Sequence, residues 1–245
     1  MSLLLTHTRY QFLETARVPI SVIGNGFFPA ASMLFFVVPF AGGDPVGAAM
    51  ATASMMVFAM MTSGLFTHGT GVANDREQPW DPYVRTLPAG PWPRLGGRVL
   101  NALAFALIGV LPVLVISALF TEATATPAQL VLGLGALLVA AAPFQLLGLF
   151  IGYTLPFKAA LAVVQLVFLP LAVGGGLMTS PQHPPAFIAA VAPYLPTRGA
   201  VELVWAAVGY GPPRTLPLVM FAVWTAAAGA LAVWAYRRDE GRRFA

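Results

Sequence analysis

Long apolar stretches, separated by short polar turns, run through almost the whole of this 245-residue sequence. Each stretch has roughly the 20 residues that an α-helix needs to cross the hydrocarbon core of a bilayer. Hydrophobic residues make up 58% of the chain and charged residues only 9%, whereas soluble domains carry about 25% charged residues. A soluble fold cannot cover so much apolar surface, so the pattern predicts an all-α polytopic membrane protein with six transmembrane helices. The predicted spans are residues 20–41, 46–72, 96–120, 128–153, 159–178 and 216–236.

The first 18 residues have a different pattern, because apolar and polar side chains fall on opposite sides of a helix. Leu5 and Phe12 share one side, while Gln11 and Glu14 lie on the other. A helix of this kind lies in the membrane interface more readily than it spans the bilayer. We therefore expect an N-terminal interfacial amphipathic helix at residues 1–18.

A polar segment at residues 74–98 is the longest interruption of the apolar pattern. It contains four arginines, three acidic residues and five prolines. The prolines exclude one long helix but permit a short helix bracketed by turns. Because arginine-rich loops between membrane helices stay in the cytoplasm, we expect a cytoplasmic loop that presents a surface to a partner. The alternative is a solvated loop that only fixes the topology.

The distribution of basic residues predicts how the chain is oriented in the membrane. Six spans place both termini on the same side. With the termini inside, all but Arg198 and Arg214 of the 13 lysines and arginines face the cytoplasm. This asymmetry follows the positive-inside rule. We expect residues 1–245 to form a single transmembrane domain in the plasma or inner membrane, with both termini cytoplasmic.

Residues 179–213 contain two apolar runs that are each too short to cross the bilayer. The runs are residues 186–191 and 201–208, and prolines and glycines bracket both. Such pieces are typical of re-entrant or interfacial helices, so we expect a broken re-entrant hairpin on the extracellular side. Glu202 follows Arg198 by four residues, a spacing that predicts an ion pair along one helix.

Several kinds of catalytic site need residues that this chain lacks. A phosphate-binding P-loop needs a Gly-Lys pair, and the only lysine, Lys158, follows Phe157. The three histidines have no acid at metal-ligand spacing, and there is no cysteine. The formal charge of +4 is small and concentrated near the span ends, which does not fit nucleic-acid binding. We therefore expect no enzyme activity, no cofactor or metal on this chain, and no nucleic-acid partner.

Two short motifs resemble those of a known transporter family. Asp-Arg-Glu at 75–77, followed by Arg-Thr-Leu-Pro at 85–88, is similar to the loop that follows the second span in that family. Ala-Pro-Tyr-Leu-Pro at 192–196, with Glu-Leu at 202–203, is similar to its stretch before the last span. In these motifs and in layout the chain resembles the permease subunit of a type-two ATP-binding-cassette (ABC) exporter. One departure is residues 78–82, which stand where the family usually has a small Gly-Thr pair.

The resemblance implies a pathway built by two permeases, either two copies of this chain or this chain and a paralogue. Two cytoplasmic P-loop ATPase subunits would bind below them and would hold the ATP and Mg²⁺. The loop at 74–98 would be the coupling helix that docks into the ATPase. The implied activity is export of a small hydrophobic or amphipathic substrate (drug-like, as in multidrug efflux, or a lipid or glycan), powered by another chain.

Charged and aromatic residues of this loop are the candidate ATPase contacts. A carboxylate such as that of Glu77 can pair with an ATPase arginine in a partly desolvated groove. Trp80 and Tyr83 can act as rigid anchors, or they can instead lie among lipid headgroups. The candidate contacts are Asp75, Arg76, Glu77, Trp80, Asp81, Tyr83 and Arg85.

Polar and methionine side chains within the spans are the candidate substrate-pathway residues. A polar side chain in a span more often forms a hydrogen bond between helices than it contacts substrate. Methionine more often fills a core than it lines an adaptable pathway. Both interpretations stay open from the sequence. The candidates are Asn25, Met56, Met60, Asn101 and Gln165.

A function of a different class fits the same cytoplasmic loop. The chain could be a non-transporting membrane scaffold or sensor component that recruits a cytoplasmic partner. Co-purification distinguishes the two functions, because a permease brings down an ATPase with a P-loop and a scaffold does not.

Overall fold

The regular structure of this chain is helical. Within the part of the chain that a computed structural model describes, there is no β-strand, in agreement with the predicted all-α class. The described residues are 3–17, 19–81, 83 and 91–241, and the side chains of 19–25, 91–94 and 241 lie outside the description.

Helix α1 (Leu3–Ala16) forms where the interfacial helix is predicted, and none of its residues is buried. It packs along a later, much longer helix, Pro91–Phe120. The Phe12 ring stacks on the Phe105 ring there, with 4.9 Å between the ring centroids. Other apolar side chains of α1, such as Leu5, are exposed and leave a surface suited to the headgroup region.

The first predicted span, residues 20–41, is a continuous helical segment. It consists of α2 (Pro19–Ser32), a π-helical turn (Met33–Val37) and α3 (Val38–Ala41). A π-helical turn accommodates local disruption of the helical hydrogen bonds, such as the missing N–H of the proline in α3. Its apolar portion with described side chains, Gly26–Ala41, is shorter than the roughly 20 residues that a helix needs to cross the bilayer. The span predicted at residues 20–41, which would bring the count to six, therefore stays a prediction.

A second continuous helical segment runs through the centre of the bundle. This central helix consists of α4 (Pro45–Ser63), a π-helical turn (Gly64–His68) and α5 (Gly69–Arg76). It begins at Asp44, whose side chain accepts hydrogen bonds from two backbone N–H groups of the first turn. Of its most apolar stretch 83% is buried, against at most 39% in the other candidate spans. The other helices therefore pack around this one.

The remaining long helices surround the central helix. They are α6 (Pro91–Phe120), α7 (Pro127–Ala140), α8 (Ala142–Thr154), α9 (Phe157–Gly174) and a last helix, Thr215–Gly241. Five stretches in the described residues are long and apolar enough to cross a membrane, as in a multi-pass membrane protein. These stretches are Pro45–Arg76, Leu95–Phe120, Pro127–Thr154, Phe157–Gly174 and Thr215–Glu240.

Helix α8 approaches the central helix closely at two glycines. A Cβ atom at Gly148 would overlap the carbonyl oxygen of Gly64, and one at Gly152 would overlap the carbonyl oxygen of His68. Glycines four residues apart permit this kind of backbone contact between membrane helices. The contact places the end of α8 beside the π-helical turn of the central helix.

Two short helices lie between α9 and the last helix, within the segment predicted to be a broken hairpin. They are α10 (Ala186–Val191) and α11 (Pro196–Ala207), joined by a 3₁₀ turn (Ala192–Tyr194). The last helix, Thr215–Gly241, is α12. Both short helices are too short to span a bilayer; their re-entry into the membrane stays a prediction.

The predicted ion pair between Arg198 and Glu202 is present, and a third residue joins it. Glu202 Oε1 accepts a hydrogen bond from Arg198 Nε at 2.9 Å and from Arg214 Nε at 2.8 Å. Its Oε2 accepts from the Arg214 backbone N–H at 2.8 Å. Burial of Glu202 opposes ionisation, yet these hydrogen bonds hold its pKa below the ordinary value of 4.5. The cluster ties α11 to the start of α12.

Candidate functional site

One arginine holds the end of the central helix against two other helices. Arg76 Nη2 and Nε lie 2.7 Å and 3.0 Å from Asp239 Oδ1 on α12. Arg76 Nη1 donates to the carbonyl oxygens of Gly152 and Leu155, at 2.9 Å and 3.1 Å. The Asp239 side chain is only 4% exposed, so solvent and salt screen the pair weakly. Arg76 thus joins the beginning of the polar segment to α12 and to the end of α8.

The next residue, Glu77, contacts a further helix. Its Oε1 accepts a hydrogen bond from the backbone N–H of Phe157 at 2.8 Å. Phe157 is the first residue of α9, where backbone N–H groups lack partners in their own helix and negative charge is favoured. Glu77 therefore caps the N-terminus of α9.

A second ion pair of this region joins the two ends of the polar segment. Asp75 Oδ2 lies 2.7 Å from Arg98 Nη2. Asp75 lies in α5 and Arg98 in α6, so both ends of the segment predicted as a loop at 74–98 are helical. The pair fixes α6 beside the central helix at this end of the bundle.

The other candidate ATPase contacts differ in exposure. Trp80 and Tyr83 are 61% and 69% exposed. Asp81 is buried, with 2% of its surface exposed, and Arg85 lies outside the described residues. The segment therefore presents aromatic surface outward, while Asp75, Arg76 and Glu77 form bonds within the chain.

A polar cavity of about 510 Å³ lies beside these contacts, between α1, α6 and the second half of the central helix. Asn101 is one of its buried wall residues. Asn101 Nδ2 donates a hydrogen bond to Thr15 Oγ1 at 3.2 Å, so this predicted pathway residue also links α6 to α1. Asn101 thus forms the hydrogen bond between helices that was one of its two expected roles, and its role in a substrate pathway stays a prediction.

A second cavity, of about 500 Å³, lies along the first half of the central helix. Its walls are mainly apolar and include Met56, with Thr52 and Ser117 as a polar pair whose hydroxyl oxygens are 2.9 Å apart. Tyr210, from the segment that follows α11, also lines it. A cavity with these walls suits an apolar or amphipathic molecule.

The structure does not bring together the four predicted pathway residues whose side chains it describes. Met60 is fully buried in the core, as expected of a methionine that fills space. Gln165 is exposed on the outer face of α9. Asn25 lies in α2, and its side chain is outside the description. Asn101 and Met56 line different cavities.

Comparison with known proteins identifies the family. The sequence pattern of the ABC-2 type transporter family matches residues 2–208, which is most of the chain. The chain belongs to the ABC-2 type transporter family. A curated relative from Bacillus subtilis (strain 168), named "Putative transport permease YvfS", is 24% identical over 155 residues. The matched region covers 62% of this chain and 63% of the relative, so the chain spans less than two thirds of that relative's length.

Membership in the ABC-2 type transporter family confirms the resemblance seen in the motifs. In its described part, this member of the ABC-2 type transporter family has five helical stretches that are long and apolar enough to cross a membrane. Permeases of this family generally work with an ATP-binding subunit. The contacts of Arg76 and Glu77 lie where the polar segment meets the helical bundle.

Sequence reasoning missed two residues, one at the Arg76 contact and one in the polar cavity. Asp239 was not predicted as the partner of Arg76, and Gln11 was not predicted as a wall of the polar cavity. A signal existed for Asp239, because it is an acid within the strongly basic stretch that follows the last span. Gln11 carried no such signal, since a polar residue on an interfacial helix normally faces water.

Proposed function

We propose that this ABC-2 permease exports a small hydrophobic or amphipathic substrate from the cytoplasm, driven by a separate P-loop ATPase that docks on residues 74–98. The ATPase would hold the ATP and Mg²⁺, since this chain has no P-loop sequence. The observation that supports the proposal is the set of bonds at Arg76 and Glu77. These two adjacent residues connect the polar segment to α8, α9 and α12.

These hydrogen bonds and ion pairs would transmit a movement of the polar segment to the membrane helices. Movement of an ATPase against Trp80 and Tyr83 would displace the adjacent Glu77 and therefore the N-terminus of α9. The same movement would pull on Arg76, which holds α12 and the end of α8. Asp75 would transmit it to α6 through Arg98. Packed helices respond to such shifts by moving as units, so one docking site can reach four helices.

Export from the cytoplasm requires that this end of the bundle face inward. The basic residues favour that orientation, because the polar segment and the stretch after the last span hold most of the arginines. Arg76 and Asp239 are in direct contact, which places those two regions at one end of the bundle. Both termini and the docking segment would then be cytoplasmic.

Gln165 supports a second permease copy, or a paralogue, as a partner. It lies near the middle of α9, on a face that also exposes Leu166 and Leu169. A side-chain amide facing lipid has no hydrogen-bond partner there, which is costly. A second permease against this face would cover Gln165, and a substrate pathway between the two chains would be lined by it.

Reversal of charge at Glu77 tests the proposal. Loss of one partner of a buried interface pair costs about 2–5 kcal/mol, and about 1.4 kcal/mol is a factor of ten in affinity. Glu77→Arg should therefore reduce ATPase co-purification and transport more than tenfold at matched membrane expression. Arg237→Glu is the matched control, because it reverses an exposed charge at the same end of the bundle and should leave both unchanged.

A second variant separates ATPase docking from the internal cap on α9. Glu77→Gln keeps an oxygen that can accept from Phe157 N–H, but it removes the charge that would pair with the ATPase. We expect Glu77→Gln to lose less thermal stability than Glu77→Arg, because it keeps the hydrogen bond to the α9 N-terminus, and to lose ATPase binding. If Glu77→Arg leaves both transport and co-purification intact, Glu77 has no role in coupling. If a partner without a P-loop co-purifies, the chain is a scaffold or sensor component instead.

A further inference from the structure

The polar cavity beside the polar segment (residues 74–98) has a buried floor and an exposed rim. Thr62, His68 and Asn101 form its floor, with 4%, 1% and 6% of their surfaces exposed. Glu14 of α1 lies at the rim and is exposed. A molecule entering past Glu14 would therefore leave water as it reaches Asn101.

Polar atoms in this cavity lack partners within the described part of the protein. Asn101 Oδ1, Gln11 Oε1, Arg98 Nε and His68 Nε2 are all buried and form no hydrogen bond there. All four residues line the cavity. Burying a polar atom without a partner costs roughly 1–3 kcal/mol, so native proteins usually leave such atoms in a cluster only where something else binds. The cluster has the composition of a binding site rather than of a core.

Several hydrogen-bond acceptors lie on the cavity walls. The hydroxyl groups of Thr62 and Thr70 donate to backbone carbonyls of their own helix, at 2.8 Å and 2.7 Å, which leaves their oxygen lone pairs as acceptors. The amide oxygens of Asn101 and Gln11 add two more acceptors. A ligand that pairs with these acceptors must supply several N–H or O–H donors.

The charges on the walls favour a cation over an anion. Arg98 is neutralised by Asp75 at 2.7 Å. Glu14 has no ion pair among the described residues, so its carboxylate adds an uncompensated negative charge at the rim. The rings of Phe28 and Phe66 complete the walls. Aromatic faces attract ammonium groups and also accept an apolar chain.

We propose that this cavity binds the ammonium head group of an amphipathic amine, with Asn101 and Gln11 as hydrogen-bond acceptors and Glu14 as the counter-charge. The inference rests on the proposed export function and names its substrate class: a cationic amphiphile that enters from the same end of the bundle as the ATPase. An ammonium group supplies up to three donors, which matches walls rich in acceptors. A carboxylate or phosphate is disfavoured, since it would face Glu14 and two amide oxygens.

The test uses the full-length permease in lipid nanodiscs without an ATPase. The probes are octylamine, octanol and octanoate, which share an eight-carbon chain and differ in the head group. Equilibrium dialysis of radiolabelled probe against filled and empty nanodiscs measures binding to the protein alone. We expect saturable binding of octylamine, at least tenfold weaker binding of octanol, and no saturable binding of octanoate.

Substitutions of the cavity residues test whether octylamine binds in this cavity. Asn101→Leu removes a buried acceptor of a charged donor and should weaken octylamine binding about tenfold. Glu14→Gln should weaken octylamine binding severalfold and leave octanol binding unchanged, because only the charge differs. Gln182→Leu, at an exposed position on the segment after α9, is the matched amide control and should bind octylamine like the wild type. Thr62→Val provides a second floor variant if Asn101→Leu fails to fold.

The proposal is overturned if octanol binds as tightly as octylamine, or if Glu14→Gln has no effect. It is also overturned if the floor variant that folds binds octylamine like the wild type. None of these outcomes changes ATPase co-purification by the wild-type chain. Failure of the amine site is therefore distinguishable from failure of the proposed coupling to an ATPase.

Discussion

Arg76 Nη2 lies 2.7 Å from Asp239 Oδ1, although 163 positions separate the two residues along the chain. This contact fastens the end of the buried central helix to the last helix. Because Arg76 also holds the carbonyl oxygens of Gly152 and Leu155, it is the point at which three helices meet below the polar segment. Its removal affects stability and, in the proposed mechanism, coupling.

The Arg76–Asp239 pair predicts a measurable contribution to stability. Arg76→Met should lower the free energy of unfolding by about 3–5 kcal/mol, because it leaves the carboxylate of Asp239 buried and unpaired. The double variant Arg76→Met/Asp239→Leu should recover most of the loss, since neither charge remains. Thermal unfolding of the purified permease measures both. Arg237→Met, at an exposed neighbouring position, is the control, and an equal loss there would contradict the prediction.

Removal of the exposed aromatic side chains of the polar segment should weaken ATPase binding without destabilising the fold. Trp80→Ala and Tyr83→Ala remove side chains that are mostly exposed, so the stability of the isolated permease should change by less than about 0.5 kcal/mol. If the two side chains anchor an ATPase, each truncation should reduce ATPase co-purification more than tenfold. Phe40→Ala, also at an exposed aromatic position but near the opposite end of the bundle, should reduce nothing. If co-purification survives both loop variants, the rings lie among lipid headgroups instead.

The proposed orientation predicts which positions are reached from outside the cell. The chain has no cysteine, so single cysteines can be introduced and labelled with a thiol reagent that does not cross membranes. Cysteines at Thr124 and Gln182, which are exposed, should be labelled in intact cells, and a cysteine at Ala89 only after permeabilisation. Labelling of position 89 in intact cells would reverse the orientation.

The broken segment before α12 predicts that its two ends lie on the same side of the membrane. Cysteines at Ser180 and Pro212, both exposed, should be labelled together from outside. Pro212 is preferred to Gly211, because Gly211 has a φ of +96° that a cysteine adopts poorly. Labelling of the two positions from opposite sides would show that this segment crosses the bilayer.

The Glu202 cluster predicts a loss of stability in acid. The pKa of Glu202 is held below its ordinary value of 4.5 in the folded chain. The cluster therefore contributes fully above pH 4.5 and loses its contribution as the pH falls from 4.5 through the folded pKa. Glu202→Gln should lower the thermal unfolding midpoint at pH 7, and the difference from the wild type should shrink below pH 4.5. A difference that is constant with pH would show that ionisation of Glu202 does not stabilise the fold.

Much of the fold follows from the sequence, because the length of each apolar stretch can be read directly along the chain. Helices long and apolar enough to span a membrane form at five of the six predicted positions. The short run at 186–191 is a helix with the same bounds. The Arg198–Glu202 pair was also predictable, since residues four apart in a helix are neighbours. Arg214, which completes the cluster, comes from the start of the next helix and gave no local signal.

The sequence alone determined that this chain spans a membrane, which family it resembles and where its polar segment lies. The tertiary structure decided which side chains meet, including Arg76 with Asp239 and the polar atoms around Asn101. It also decided that Met60 lies inward and Gln165 outward. The physical reason is that lipid is as apolar as the interior of a membrane bundle. Hydrophobic periodicity therefore cannot tell the face of a membrane helix that packs from the face that does not, and only the packed helices settle it.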